Sequence, residues 1–373
     1  MSKFLLRIKQ FRIMFFLALF KIVAFFIKPS HWVICERGTE ARDHGYSIYK
    51  YMKEKHPEQK IFYLITKDSS DFYKVKDDAV IFNSIKSFWV IASAQKIISA
   101  HYAAVLPLPL ATKIFYLFRL YNKFYFLQHG VIKDDLKSLY ADIAPMKLFV
   151  CGAKPEYDDI VSKYGHPAGV VRYTGLARFD YLHDIKPKKQ ILVMPTWRTY
   201  IRNKDDFINS SYYSYWQELL CDRDLSKELC KHNIELVFYV HYEMQKYTGV
   251  FKTASKNIII AKKENCDIQD LLKESALLIT DYSSVFFDFA YMKKPIIYYH
   301  FDKYHYAKGY FDYKTMGFGK VCTQHKKLIE EITISIKNDF IMEEPYIKRT
   351  EDFFPLYDTN NCNRIYKAIL ENA

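Results

Sequence analysis

Apolar residues in this chain gather in short unbroken runs separated by polar turns, and the segments between the runs carry helical periodicity. Runs of that kind are the pattern of parallel strands buried on both faces. The clearest instance is 276–300, ALLITDYSSVFFDFAYMKKPIIYYH. It predicts a strand over Ala276–Thr280, then a polar hinge of Asp281, Tyr282, Ser283 and Ser284. A helix over 285–292 and a second strand over Ile296–Tyr299 complete the unit. The pattern also predicts strands at 32–35, 61–66, 79–82, 96–99, 124–127, 148–151, 191–194, 236–240 and 258–260. Helices are expected over 41–55, 84–94, 155–164, 215–232, 267–275 and 361–371, with 200–213 a polar, mobile loop. This alternation predicts an α/β chain with mostly parallel sheets.

A length of 373 residues is enough for two domains, each with its own core. We expect an N-terminal Rossmann-like domain over 31–174 and a C-terminal one over 175–373, the last helix being free to pack back on the first. Residues 1–30 stand apart. Their longest uncharged run, Ile13–Phe20, is too short to span a bilayer, and Lys21 interrupts the apolar stretch that continues to Ile27. On a helical wheel Lys3, Arg7, Lys21 and Lys28 share one face, and Phe and Leu fill much of the rest. That pattern favours a helix lying in an anionic membrane surface over a core-packed helix or a transmembrane span.

Charge sharpens this picture. The net charge is +13, and six basic residues with no acid fall in the first 28 positions. The other 345 residues carry 49 basic and 42 acidic side chains, so the basic excess is densest at the N-terminus, and the body carries no basic stripe with exposed aromatics, which disfavours nucleic acid as a partner. Seven cysteines without a C-x-x-C pair form neither a disulfide framework nor a zinc site and fit a reducing compartment. No protein-held metal or resident cofactor is expected.

Candidate chemistry collects at predicted carboxyl ends of strands, where open α/β sheets bind ligands. His129, followed by Gly130, ends the strand at 124–127. Trp197 and Arg198 come after the strand at 191–194, His241 ends the next one, and Ser283 and Ser284 lie in the polar hinge. A lone histidine is often structural, and a serine before a helix is often only a cap. Together, however, these groups suit transfer from a nucleotide diphosphate to an alcohol. Arg178 and Arg198 would neutralise the diphosphate; His241 and the two serines would donate to phosphate oxygens. Asp288 would hold a ribose hydroxyl pair, and His129 would take the proton of the attacking hydroxyl. The charged loop Glu36-Arg37-Gly38 to Arg42-Asp43-His44 could touch an acceptor but reads better as a solvated turn. The two domains are expected to face each other, with His129 across a cleft from the second-half residues.

The stretch ITDYSSVFFDFAYMKKPIIYY resembles the signature of the CDP-glycerol glycerophosphotransferase family, which builds wall teichoic acids and related capsule polymers. QHG at 128–130, GLARFD at 175–180, PTWR at 195–198, FYVH at 238–241 and YFDY at 310–313 match in the same order. The resemblance spans about 32–370 and implies a GT-B-like fold and peripheral attachment to the cytoplasmic face of the cell membrane. It also implies CDP-glycerol as donor and a polyprenyl-diphosphate-linked acceptor, with CMP released. By the same resemblance His129 and His241 are catalytic, and Gly130, Arg178, Trp197, Arg198, His241, Ser283, Ser284 and Asp288 contact the donor. One departure bears on specificity: where many members read W-H-G-T-P-x-K, this chain reads Gln128 to Asp134 as QHGVIKD. A ribitol-phosphate or sugar transferase of the same fold, and a non-catalytic polymer-assembly protein, are the alternatives.

Overall fold

The computed structural model describes residues 3–107, 111–262, 265–303 and 308–372. The chain divides into two compact units: 1–131, 136–181 and 358–373 form the first, and 132–135 with 182–357 the second.

Unit 1 begins with helix α1 (Lys3–Ile27) and runs β1 (Trp32–Cys35), α2 (His44–Lys55), β2 (Ile61–Ile65), β3 (Ala79–Ile81), α3 (Ile85–Ser93) and β4 (Lys96–Ser99). Then come α4 (Ala111–Leu117), β5 (Phe124–Phe126), β6 (Leu148–Cys151), α5 (Lys154–Lys163) and β7 (Val171–Tyr173). Every residue of β1, β4, β5 and β6 is buried, as expected of strands covered on both faces. The strands form one parallel sheet in the order β3-β2-β1-β4-β5-β6-β7, reversing direction of growth between β1 and β4.

Unit 2 contains β8 (Gln190–Val193), α6 (Lys204–Ile208), α7 (Ser211–Cys221), α8 (Arg223–His232), β9 (Glu235–Phe238), β10 (Ile258–Ile260), α9 (Ile268–Glu274) and β11 (Leu277–Thr280). It continues through α10 (Phe286–Tyr291), β12 (Ile296–Tyr299), β13 (Gly319–Cys322), α11 (His325–Lys337) and α12 (Glu344–Phe353). Its parallel sheet runs β10-β9-β8-β11-β12-β13, with the reversal between β8 and β11. The last helix, α13 (Asn361–Glu371), belongs to unit 1. Both orders are those of a Rossmann-type sheet, so the fold is α/β and GT-B-like.

The boundary lies at 181/182, with 358–373 returning to unit 1, whereas the sequence placed it at 174/175. The GLARFD segment explains the difference. Gly175 has a φ of 74°, and a Cβ there would stand 1.7 Å from Asn361 Oδ1. Asp180 then caps α13, accepting from the N–H groups of Asn361 and Cys362, each at 2.8 Å. The motif therefore clasps the last helix onto the first unit.

Three further expectations need correcting. The segment 200–213 is not a mobile loop: it holds α6, and Ile201, Phe207 and Tyr212 are buried in the unit 2 core. The single helix expected over 215–232 is broken at Asp222, whose carboxylate caps α8 through the N–H of Leu225 at 2.7 Å. Strands β7 and β13 and helices α4, α11 and α12 were not anticipated.

Helix α1 lies along α3 by one face. Ile13 and Leu17 are buried, Phe16 stacks on Phe88, and Phe20 meets Trp89 edge-on. Lys21 turns inward and donates to the carbonyl of Phe118 at 2.5 Å, so it does not share an outward basic face. The opposite side exposes Ile8, Phe11, Phe15, Leu19, Ile22, Phe25, Phe26 and Ile27. Residues Arg7–Ile27 are long and apolar enough, by length and composition, to cross a membrane. The packed face shows that one side serves unit 1.

Candidate active site

In a Rossmann-type sheet the crevice for ligands opens where the strand order reverses, at the carboxyl ends. Each unit brings a distinct set of side chains to that edge.

In unit 1, β5 ends in a sharp turn at Gln128, which has a φ of 62° and is anchored by its side-chain amide to the carbonyl of Val150. The turn leaves the His129 ring exposed and Gly130 buried behind it. Arg178 fixes this loop from below: its Nη1 donates to the His129 carbonyl at 2.9 Å and to Asp43 Oδ1 at 2.5 Å. The Arg178 backbone N–H donates to Nδ1 of His44 at 3.2 Å. Nε2 of the same ring lies 2.9 Å from Nη1 of Arg178 and 3.5 Å from Asp43 Oδ1, so Arg178 holds the imidazole at both nitrogens. Burial pushes His44 down to about 3, so its imidazole is neutral. Burial opposes the charge of Asp43, but the Arg178 guanidinium beside it holds its carboxyl below the ordinary range. Arg178 was expected on the donor side in the second domain. Instead it is a unit 1 residue whose guanidinium braces the His129 loop.

The loop at 36–44 is not a solvated turn. Glu36 is completely buried, and its carboxylate accepts from the N–H groups of Asp43 and Tyr46 at 2.9 Å and of Arg42 at 3.1 Å. It thus fills the N-terminus of α2, the place where a Rossmann-type unit would hold a phosphate. Beside it, Arg37 donates through Nε to Nε2 of His101 at 3.0 Å, and the His101 ring stacks on that of His129. Desolvation, opposed by Asp43 and reinforced by Arg37 and Arg178, lowers the His129 pKa from its usual value.

In unit 2 the turn after β11 is built on Asp281, which is fully buried. Its Oδ1 accepts from the N–H groups of Thr196 at 2.7 Å and Tyr282 at 2.6 Å, and Oδ2 lies 2.8 Å from Arg198 Nη2. Arg198 is itself fully buried. It meets Asp302 through Nε at 2.9 Å and Nη2 at 3.1 Å and donates from Nη1 to the Thr196 carbonyl at 2.8 Å. A guanidinium held this way ties the turns after β8 and β11 together, and the expected donor contact by Arg198 is not what the packing provides. Tyr282 stacks on His300 and donates to the Asp302 carbonyl at 2.6 Å.

The groups left facing outward are others. His241 accepts at Nδ1 from the Glu243 N–H at 3.4 Å and stacks on Trp197 with centroids 5.8 Å apart. Ser283 is partly exposed and Ser284 exposed. Neither serine caps α10, whose N-cap position is Val285 with no side-chain bond. Asp288 is only 2% exposed, so a ribose could reach its carboxylate only after α10 shifts. His101 and Asp302 were missed in the sequence, and Asp43 and His44 were seen only as part of a charged loop, because each acts through a partner distant in the chain. Among the described residues no group of three or more His, Cys, Asp or Glu side chains is placed to hold a metal ion.

The profile of the family described as CDP-Glycerol:Poly(glycerophosphate) glycerophosphotransferase matches residues 18–144 and 178–371 of this chain. The minor teichoic acid biosynthesis protein GgaB of Bacillus subtilis (strain 168) is 34% identical over 94% of this chain. The teichoic acid poly(glycerol phosphate) polymerase of the same organism is 26% identical over 84% of it. The chain spans 41% and 44% of the lengths of these two relatives. Among solved structures, the wall teichoic acid polymerase TagF superposes with a TM-score of 0.69 at 19% identity, covering 98% of this chain and 96% of that one. A substituted form of TagF soaked with CDPG gives a TM-score of 0.67 at 18% identity, covering 100% and 99%. A profile match over most of both Rossmann-type units, which owes nothing to the side-chain geometry, shows that this chain belongs to the CDP-glycerol:poly(glycerophosphate) glycerophosphotransferase family.

Proposed function

We propose that this chain transfers glycerol phosphate from CDP-glycerol to a hydroxyl of a lipid-linked acceptor at the cytoplasmic face of the membrane, releasing CMP, in teichoic acid or capsule-type polymer synthesis. The observation that carries this is the unit 2 sheet edge. Trp197, Ser283 and Ser284 stand just past β8 and β11, the strands that flank its reversal, His241 follows the neighbouring β9, and the two serine hydroxyls make no hydrogen bond among the described residues. Hydroxyls and an imidazole at that edge are donors for a diphosphate, and an indole beside them offers a face for a base or ribose. The structural relative soaked with CDPG adds weight to this ligand class.

The reaction is a displacement at phosphorus. The proton of the acceptor hydroxyl passes to the exposed imidazole of His129. The oxygen bonds to the glycerol-bearing phosphorus while the bond from that phosphorus to the bridging oxygen breaks, and CMP leaves with the electron pair. His241 and the serines offset charge on the departing phosphate. Arg178 and Arg198 act by positioning, the first on the His129 loop and the second on the Asp281 turn. CDP-glycerol is a substrate here, and no resident metal is invoked. The outward apolar face of α1 suits a peripheral seat on an anionic bilayer, apolar side chains down.

A donor screen with radiolabelled CDP-glycerol, CDP-ribitol and UDP-sugars tests this proposal. Label should pass to lipid-extractable product from CDP-glycerol. Transfer from CDP-ribitol alone would move the chain to the ribitol-phosphate transferases, and transfer from none would make it an assembly protein.

A further inference from the structure

We propose that His101 is a positioning residue for this transfer, a fixed support that holds the His129 ring in its working orientation; the proposal rests on His129 acting as the base.

An imidazole base usually takes its orientation from a carboxylate bonded to its second nitrogen. His129 has no such partner: among the described residues its side chain makes no hydrogen bond, and the nearby carboxylate of Asp43 is engaged by Arg178. The ring instead meets the face of His101, with centroids 5.0 Å apart and planes within 14° of parallel.

That face is itself held from both ends. His101 comes just after β4, the strand beside the reversal in the unit 1 sheet. The hydroxyl of the buried Ser99 accepts from the His101 N–H at 3.1 Å and donates to the His101 carbonyl at 2.9 Å, latching its backbone. At the ring, the Nε–H of Arg37 points at Nε2 from 3.0 Å. A guanidinium can only donate, so Nε2 must be the acceptor and the proton must sit on Nδ1. His101 is therefore neutral, which is the form that can support a neighbouring ring as it becomes an imidazolium, face to cation. A second charge at that distance would repel it. Burial, His129 and Arg37 all act to keep His101 uncharged, against the pull of Asp43.

Nδ1 of His101 is buried with no hydrogen-bond partner. A phenylalanine would fill the same outline without that cost, so the imidazole contributes something beyond packing: the acceptor for Arg37. The support thus has two separable parts, a flat ring and its anchor.

The test uses the full chain, isotope-labelled at histidine, with His101→Phe, His101→Ala, Arg37→Gln and His129→Ala variants. NMR reads the His129 ring resonances across pH, and turnover of CDP-glycerol is measured on the same samples. In His101→Ala the His129 resonances should lose their ring-current displacement and their titration midpoint should move. There kcat should fall by roughly ten- to a hundred-fold, the scale of a misplaced reacting group, with KM for CDP-glycerol unchanged. His101→Phe should recover most of kcat, and Arg37→Gln should fall between the two. His129 resonances and kcat both unaltered in His101→Ala would overturn the proposal. So would a His101→Phe variant as inactive as His101→Ala, since the imidazole would then take part in the chemistry itself. Turnover surviving in His129→Ala overturns the base assignment instead, and that result is read independently of His101.

Discussion

Nη1 of Arg178 stands 2.9 Å from the carbonyl oxygen of His129 while the same nitrogen is 2.5 Å from Asp43. One guanidinium therefore joins the loop that carries an exposed imidazole to the turn ahead of α2. Removing it as Arg178→Ala strands Asp43 beside a largely buried site. Breaking such a pair costs about 3 kcal/mol or more. Urea denaturation should show a loss of that order. Arg178→Lys should recover part of the stability and little of the turnover, because an ammonium cannot reproduce the fork. Equal turnover in the Lys variant and the parent would show that the brace does not serve the loop.

Arg198 makes a sharper case. Its side chain and that of Asp281 have no solvent exposure at all, and Asp302 takes two of its nitrogens. Arg198→Met should cost about 3–5 kcal/mol through the uncompensated carboxylates. Adding Asp281→Asn in the same chain should return a part of that loss. If Arg198→Met unfolds like the parent but binds CDP-glycerol weakly, Arg198 is a ligand contact and not a structural tie between the two turns.

The His129 imidazole has a lowered pKa. A base acts when deprotonated, so the acid limb of log kcat against pH should fall below the ordinary imidazole value of about 6.5. Stability moves with the same sign. His44 and His101 are both pushed down to about 3 in the folded chain. Between that value and about 6.5 the unfolded chain binds protons that the folded one does not, so stability declines as pH falls through this window. Urea midpoints measured from pH 7 to pH 4.5 should drop, and the drop should shrink in a His44→Asn variant.

Helix α1 separates two roles by face. Deleting residues 1–28 would uncover Phe88 and Trp89 as well as removing the outward surface. A cleaner variant changes outward residues only, as Phe11→Glu, Phe15→Glu and Phe25→Glu together. It should keep the parent's thermal midpoint and lose co-sedimentation with anionic vesicles. Continued pelleting with those vesicles would contradict an interfacial anchor.

Much of this architecture was legible in the sequence because the strands are unbroken apolar runs. The runs at 276–280 and 296–299 match β11 and β12 to within a residue, and the polar turn after the first marked the ligand edge. Helix α11 was missed even though Leu328, Ile332 and Ile336 keep helical spacing, because no strong run adjoins it. The site was legible by residue type and less so by role. Arginines in motifs suggested phosphate contacts, yet their roles are set by carboxylates far along the chain: Asp43 lies 135 positions before Arg178 and Asp302 lies 104 beyond Arg198. The same limit hid Glu36, which looks like a surface charge until three backbone N–H groups converge on it. Ser283 and Ser284 left two explanations open, cap or ligand group, and the capping bond is not made.

The most direct measurement traces label from CDP-glycerol into a lipid-linked acceptor with three proteins at equal concentration: the parent, His129→Ala, and Ser283→Ala with Ser284→Ala. Each should also be assayed for CDP-glycerol binding. The parent should transfer label. His129→Ala should bind the donor as the parent does and transfer at a rate lower by on the order of a hundred-fold or more, the scale of lost general-base catalysis. The double serine variant should fold normally, since these hydroxyls make no internal bond, and should bind CDP-glycerol about ten-fold more weakly. Undiminished transfer by His129→Ala, together with undiminished binding by the serine variant, would contradict the assignment of base and donor site.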